Sequence, residues 1–271
     1  MKWLRNLLES RAEILPEASL APALDAAAAA PQRSAVLAAM SHELRTPINA
    51  IVGYAELLLS PQAEAGPARD RRNYAEAIRD SAKALQVLVD DILDITRVQN
   101  NTLTFHDQEH DFGELVEMVA RSMGDPSEAA GARIVARLVP GIFVQGDPHR
   151  LRQAIRNLLS NAIKFSPDGG IVNVEMQKSG AGHLVLAIRD AGIGIAPEDL
   201  TRVFDPFVQV ESGVARRFGG TGVGLAIARH IALHHDGSIA LSSEPGAGTE
   251  ARLILPAQRV TWPKVENRAV A

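Results

Sequence analysis

Leu37-Ala38-Ala39-Met40-Ser41-His42-Glu43-Leu44-Arg45-Thr46-Pro47-Ile48-Asn49-Ala50-Ile51-Val52-Gly53-Tyr54-Ala55-Glu56-Leu57-Leu58 sets Leu37, Met40, Leu44, Pro47, Ile51, Tyr54 and Leu58 at steps of 3, 4, 3, 4, 3 and 4. That rhythm is the heptad pattern of a helix with one apolar seam. After a break between Pro61 and Pro67, Tyr74, Ile78, Ser81, Leu85, Leu88, Ile92 and Ile95 repeat it. Two such helices joined by a short Pro/Gly loop form a helical hairpin. Two helices cannot enclose a core, so the economical solution is dimerisation into a four-helix bundle.

Toward the N-terminus, Leu4, Leu7 and Leu8 lie among Trp3, Lys2 and Arg5, the pattern of a short amphipathic helix. Pro16, Pro22 and the Ala26–Ala30 run before Pro31 read as linker. Toward the C-terminus, beyond Asn100, the character becomes mixed α and β. Helical patterns cover residues 111–123, about 147–165 with Asp147 as cap, and 222–235. Pro197-Glu198-Asp199 reads as a further helix start. Residues 134–139, 171–176, 184–188, 238–241 and 251–255 read as strands. The expectation is an α+β sandwich, helices over one sheet. The divisions are 1–31 as lead-in and linker, 32–105 as hairpin domain, 106–258 as α+β domain and 259–271 as C-terminal tail.

Composition narrows the function classes. With 28 Lys+Arg against 32 Asp+Glu over 271 residues, the formal charge is −4, and no basic field points to nucleic acid. There is no Cys, so disulfide frameworks, thiolate metal sites and a thiol redox switch are excluded. No apolar run approaches the ~20 residues that span a bilayer, and the expectation is a cytoplasmic protein. Thirty residues before the hairpin are too few for a folded sensor. Input is therefore expected through a separate sensor or input partner, through those thirty residues, or from a region outside this chain.

Four constellations carry chemistry. Taking Leu37 and Leu44 as position a puts His42 at f, away from the seam, with Glu43 beside it and Pro47 five residues on. An exposed imidazole whose second ring N–H is held by a carboxylate is a nucleophile, although such a pair is alone also ordinary surface. Asn157, Asn161 and Lys164, at i, i+4 and i+7, share one helix face opposite Leu151, Ile155, Leu158 and Ala162. Two carboxamides and an ammonium there complete an Mg²⁺ shell and hold phosphate oxygens, or form a solvated polar face. Asp190-Ala191-Gly192-Ile193-Gly194 follows an apolar strand, so the carboxylate can take an exocyclic amine while the backbone approaches a flat ring. A dinucleotide fold is the competitor, but Pro197 stands where the third glycine belongs. Gly219-Gly220-Thr221-Gly222-Val223-Gly224-Leu225 opens a helix, a phosphate-binding arrangement without the Lys-Ser/Thr of a P-loop. Between the last two lie Phe204-Asp205-Pro206-Phe207 and Arg216-Arg217, readable as a lid with apolar anchors and a phosphate-reaching arginine.

In this order, residues 41–51, 157–165, 190–194, 204–207 and 220–225 resemble the H, N, G1, F and G2 boxes of sensor histidine kinases, and Gly246-Ala247-Gly248-Thr249 resembles the last glycine box. The resemblance covers roughly residues 33–256. It implies a dimerisation and histidine-phosphotransfer hairpin followed by a Bergerat-type α/β sandwich that binds ATP and Mg²⁺. His42 would be the phosphoacceptor, Glu43 its acid/base partner, and Thr46 the residue that orients water in dephosphorylation. Asn161 would hold Mg²⁺ with Asn157 and Lys164 assisting, and Asp190 would read the adenine amine in a pocket shaped by Gly192 and Gly194. Phe204, Phe207, Arg216, Arg217, Gly220, Thr221, Gly222, Gly224, Leu225 and Thr249 would complete the nucleotide site. The resemblance further implies a homodimer that passes phosphate to an aspartate of a response-regulator receiver domain, with phosphatase activity toward it. The stretch 100–111 would be the hinge. Competing readings are a nucleotide-binding scaffold or pseudokinase, and a Bergerat-fold serine kinase. Two departures stand out: Glu250-Ala251 where an aromatic is common, and His235-Asp236-Gly237 for the commoner His-Gly-Gly. His106, His110, His149, His183 and His230 have no evident partner, and adjacent His234 and His235 cannot share a face as a metal pair.

Overall fold

The structure is a computed structural model that describes residue 41 and residues 43–61, 67–100, 102–123, 132–166, 170–209 and 222–263. The N-terminal amphipathic segment, His42, Arg216, Arg217, Gly220 and Thr221 lie outside the described residues.

Helix α1, residues 43–58, runs through Pro47, which is buried. Helix α2, Ala68–Gln99, returns antiparallel to it, with the Tyr54 and Tyr74 rings stacked at 6.2 Å. The heptad residues Leu44, Ile51, Leu58, Ile78, Leu85, Leu88 and Ile92 are only half-buried in this hairpin. Ile48, Val52, Leu57, Leu59, Val87, Val89 and Leu93 remain exposed. Among the described residues no helix is long and apolar enough to cross a membrane.

The second region contains β1 (Gln108–Asp111), α3 (Phe112–Met123), β2 (Arg133–Arg137), β3 (Phe143–Gly146), α4 (Pro148–Phe165), β4 (Ile171–Lys178) and β5 (Leu184–Arg189). It continues with α5 (Gly224–His234), β6 (Ser238–Glu244), β7 (Gly248–Leu255) and β8 (Val260–Thr261). A five-stranded sheet runs β2-β4-β5-β7-β6, with β2 and β4 parallel and the other pairs antiparallel. Period-2 alternation buries Val172, Val174 and Met176 on one face of β4. Against that face lie the apolar stripes of α3, α4 and α5: Leu115 and Val116, Ile155 and Leu158, Ile227 and Ile231.

Helix α4 starts where the sequence says it must. Asp147 accepts hydrogen bonds from the backbone N–H of His149 (2.9 Å) and Arg150 (3.0 Å), and Pro148 fills the first turn.

Three expectations are corrected. Among the described residues there are two sheets, the second being the small antiparallel β1-β3-β8. Its strands are too short for their alternation to be read. Pro197 opens turns and a 3₁₀ turn over Arg202–Phe204, with no α-helix, because Pro206 holds the preceding Asp205 in extended backbone (ψ 134°) and so stops the helix after little more than two turns. The assigned tail begins inside the fold: β8 pairs with β3, and the Trp262 indole N–H donates to the Gly182 carbonyl at 3.1 Å.

The end of α2 is shared between the regions. Ile95, 1% exposed, sits in the same apolar cluster as α4 and α5, and Val98 packs against it. The stretch expected to hinge is pinned as well. Phe105 stacks on His234 at 3.4 Å, the His106 N–H donates to Asp147 at 2.8 Å, and Asp107 pairs with Arg259 at 2.6 Å.

Candidate nucleotide and phosphoacceptor site

Asp190 follows the last residue of β5 and is tied on both sides. Its N–H donates to the Thr249 carbonyl at 2.9 Å, and its Oδ1 accepts from the N–H of Gly192 (2.8 Å) and of Thr249 (3.2 Å). Both backbone donors address Oδ1, so Oδ2 is the oxygen left to meet a ligand. Burial pushes the Asp190 carboxyl up from its usual range, against the pull of the Gly192 and Thr249 bonds.

Glycine is required around it by close approach. A Cβ on Gly192 would fall 2.2 Å from the Phe165 carbonyl oxygen, and one on Gly194 (φ +69°) would fall 1.9 Å from that of Glu244. Gly248 (φ +88°) would likewise strike the Asp190 carbonyl at 2.1 Å. The loop after β5 therefore lies flat between the end of α4 and the β6–β7 turn.

Ser243, which the sequence analysis did not single out, fastens this floor. Its hydroxyl donates to the Gly248 carbonyl (2.7 Å), accepts from the Ile195 N–H (2.8 Å) and meets the Thr249 hydroxyl at 2.9 Å. One proton and two lone pairs are thereby all used if Thr249 donates. A serine in an alternating strand gives no sequence signal for this.

On α4, Asn161 and Lys164 are half-buried, as a ligand-facing stripe requires. Asn157 is buried instead, its amide donating to the Gly224 carbonyl at 3.0 Å. It thus ties α4 to the first turn of α5 and fixes the glycine-rich entry. The Lys164 ammonium lies 4.8 Å over the Phe165 ring. Burial lowers its pKa, and the negative charge of Glu43 on α1 opposes that. Glu43 is half-buried and Thr46 exposed on the same helix.

Of the expected lid, from Phe204 to Arg217, residues 210–217 lie outside the described residues, but Phe204 and Phe207 at its start are described, as is Gly222 beyond it. The Phe207 N–H donates to the Gly222 carbonyl at 3.0 Å. Both residues take left-handed backbone, Phe207 at φ +67° and Gly222 at φ +68°. For a bulky residue that conformation costs about 1–2 kcal/mol, offset by packing of Phe207 on the core. Phe204 lies under the Arg229 guanidinium at 5.3 Å. Leu225 packs against the core beside Gly224.

One histidine has a structural role. His235 is fully buried, its Nδ1 2.7 Å from the Ile231 carbonyl and its Nε2 accepting from the Asp147 N–H at 2.9 Å, which fixes a neutral ring. Burial lowers its pKa accordingly, against the Ile231 bond. Asp236, standing where glycine is commoner, takes φ +54°, a conformation Asp tolerates, and pairs with Arg259 at 2.9 Å. Glu250, the other departure, pairs with Arg189 and Arg252 on the surface.

Two family models match the chain: the His Kinase A (phospho-acceptor) domain over residues 32–101, and the histidine kinase-, DNA gyrase B- and HSP90-like ATPase over residues 146–259. The chain is 38% identical over 235 residues to histidine protein kinase DivJ of Caulobacter vibrioides, covering 86% of this chain and 39% of DivJ. It is 34% identical over 261 residues to sensor histidine kinase RcsC of Escherichia coli, covering 95% of this chain and 27% of RcsC. It therefore spans well under half the length of these curated relatives. Among solved structures, full-length ShkA in complex with AMPPNP superposes with TM-score 0.58 at 28% identity, over 81% of this chain and 45% of ShkA. The histidine kinase AdeS of Acinetobacter baumannii superposes with TM-score 0.56 at 25% identity, over 80% of this chain and 98% of that structure. The hairpin, the glycine-cradled Asp190 and these matches place the chain in the histidine kinases, as a sensor histidine kinase catalytic core.

Proposed function

We propose that this chain is an ATP-dependent protein-histidine kinase that phosphorylates His42 and passes the phosphoryl group to an aspartate of a response-regulator receiver domain. The observation that carries the reading is that Glu43 on α1, the neighbour of His42, lies within electrostatic reach of Lys164 on α4. The two regions thus approach each other near residues the chemistry would use.

ATP fits this site by the flat glycine floor and by Asp190, whose Oδ2, not used by the two backbone donors, would accept the adenine amine. Thr249, Gly192 and Gly194 shape that floor, and Asn157 sets the entry to Gly222, Gly224 and Leu225. Phe204 and Phe207 anchor the lid, and Gly220, Thr221, Arg216 and Arg217 would close it over the phosphates. Mg²⁺, held by the Asn161 carboxamide oxygen, would neutralise charge on the phosphate oxygens. Lys164, half-buried, adds a cation on the same face.

His42 attacks the γ-phosphorus in line: the new N–P bond forms as the bond to the β-phosphate oxygen breaks, and ADP leaves. Glu43 takes the proton from the other ring nitrogen. Transfer to an aspartate then breaks the N–P bond, and Thr46 positions water for dephosphorylation of the partner. The exposed apolar face of the hairpin supports a homodimer.

Incubation with radiolabelled ATP and Mg²⁺ tests the reading. Wild type acquires acid-labile label that moves to a receiver domain, and His42→Ala binds ATP but stays unlabelled. Equal labelling of His42→Ala overturns the assignment. Calorimetry of Asn161→Ala should show loss of Mg²⁺-dependent ATP affinity, and unchanged affinity removes that residue from the site.

A further inference from the structure

Outside the site, a cluster of charged side chains joins α2 to α4. Asp94, 6% exposed, accepts from Arg150 Nη1 and from Gln153 Nε2, each at 2.8 Å on Oδ2, while Arg97 reaches its Oδ1 at 3.3 Å. One turn earlier, Asp91, 7% exposed, faces Arg156 at 3.8 Å. Arg150, Gln153, Asn157, Asn161 and Lys164 follow one another at steps of 3, 4, 4 and 3. They form a single stripe along α4, so the face that docks on α2 runs on into the face that carries the proposed nucleotide ligands.

The register of this docking is informative. Tyr54 opposite Tyr74 fixes the hairpin. Eleven residues toward its open end on each helix puts Glu43 level with Leu85, about 16 Å from that pair. Asp91 lies six residues beyond Leu85, about 9 Å further. Because Asp94 meets Arg150 and Asp91 meets Arg156, α4 runs antiparallel to α2. Lys164, eight residues past Arg156, returns about 12 Å, which is to the level of Glu43 within one turn. Ion pairs at one end of α4 therefore place its other end beside the phosphoacceptor helix of the same chain.

We propose that Asp94 and Asp91, against Arg150, Gln153 and Arg156, form a latch that seats each nucleotide domain on its own hairpin, so that phosphoryl transfer to His42 runs within one chain. This rests on the kinase reading given above. Asp94, Asp91, Arg150, Gln153 and Arg156 are positioning residues, since they act through the placement of α4. Their arrangement discriminates by charge: two carboxylates on α2 face two guanidiniums and an amide on α4. Ile95, buried next to Asp94 in the apolar cluster, adds an apolar contact to the same junction.

Mixed dimers isolated through two different tags test the direction of transfer. A dimer of His42→Ala with Asn161→Ala acquires no label within the chain-internal scheme, because neither chain holds both parts. A dimer of wild type with the His42→Ala/Asn161→Ala double variant labels at about half the wild-type level, one working chain in two. Label in the first dimer and none in the second overturns the proposal, whereas an unlabelled wild-type homodimer overturns the kinase reading itself. The latch has its own test. Asp94→Arg should slow autophosphorylation about tenfold or more with ATP affinity retained. Adding Arg150→Asp should restore the rate to within about threefold of wild type. An unchanged rate in Asp94→Arg, or no recovery in the swapped pair, overturns the latch.

Discussion

The hairpin and the α/β region solve the same burial problem with different success. In the α/β region Phe112, Ile155, Leu159, Val174, Leu186 and Ile227 are all 0% exposed, enclosed between a sheet and three helices. In the hairpin the heptad seam is half-covered, and Leu59 is 82% exposed. Two helices lack a third layer, whereas a sheet with helices on one face supplies its own. The difference teaches that one region folds on its own contacts and the other leaves an apolar surface uncovered, the surface on which the proposed homodimer rests. The exception is the last two turns of α2, where Asp91, Asp94 and Ile95 are buried by the nucleotide domain.

The largest effect should come from the closed core. Phe112→Ala should lower unfolding stability of the α/β region by about 3–5 kcal/mol, read from urea denaturation. A change below about 1 kcal/mol would mean that this core is looser than described. On the hairpin, Val52→Glu with Leu57→Glu should weaken dimerisation about a hundredfold or more, from charges placed on apolar contact area. Sedimentation should show monomers with ATP affinity retained; an unchanged dimer would place the interface elsewhere.

Between these lies the nucleotide floor. Gly192→Ala drives a methyl into the Phe165 carbonyl and should cost about 1–3 kcal/mol, with loss of ATP binding by calorimetry. Normal affinity would show that Phe165 yields.

The smallest effect concerns the shared end of α2. Burial pushes the Asp91 carboxyl up to about 6, against Arg156, with Asp94 and Asp90 adding to the rise and Gln153 opposing it. Its Oδ1 is buried without a hydrogen bond. An acid whose pKa is higher folded than unfolded binds its proton more tightly folded, so its cost is absent below about pH 4 and complete above about pH 6. Asp91→Asn, uncharged throughout, should therefore be more stable than wild type at pH 7.5 by on the order of 1 kcal/mol, with about 3 as the ceiling. The gain should fade as pH drops to about 4. Thermal unfolding across that range checks it, and a loss of stability at pH 7.5 would show that the Arg156 pairing outweighs burial.

Much of this was legible from spacing. Heptads announced the hairpin, Asp147-Pro148 announced the start of α4, and Asp190 with Gly192 and Gly194 announced the floor, since each is a local requirement of backbone geometry. What escaped is non-local. Strands β1, β3 and β8 are two to four residues long and exist only because they pair with each other. Asn157 looked like part of the ligand stripe, yet its partner is a carbonyl 67 residues away. Ser243 and Asp94 carry no motif at all, and their roles appear only when strands and helices distant in sequence meet. The expected helix at Pro197 failed although Leu200, Val203, Phe204 and Phe207 keep helical spacing, because Pro206 turns Asp205 into extended backbone before a helix can lengthen.

Where the phosphate comes to rest tests the central claim most directly. After incubation with ATP and Mg²⁺, ³¹P NMR of wild type should show a phosphoramidate, and peptide mapping at neutral pH should place it on the peptide containing His42. A phosphate ester on Ser or Thr, or nucleotide bound with no phosphorylated residue, would contradict the account.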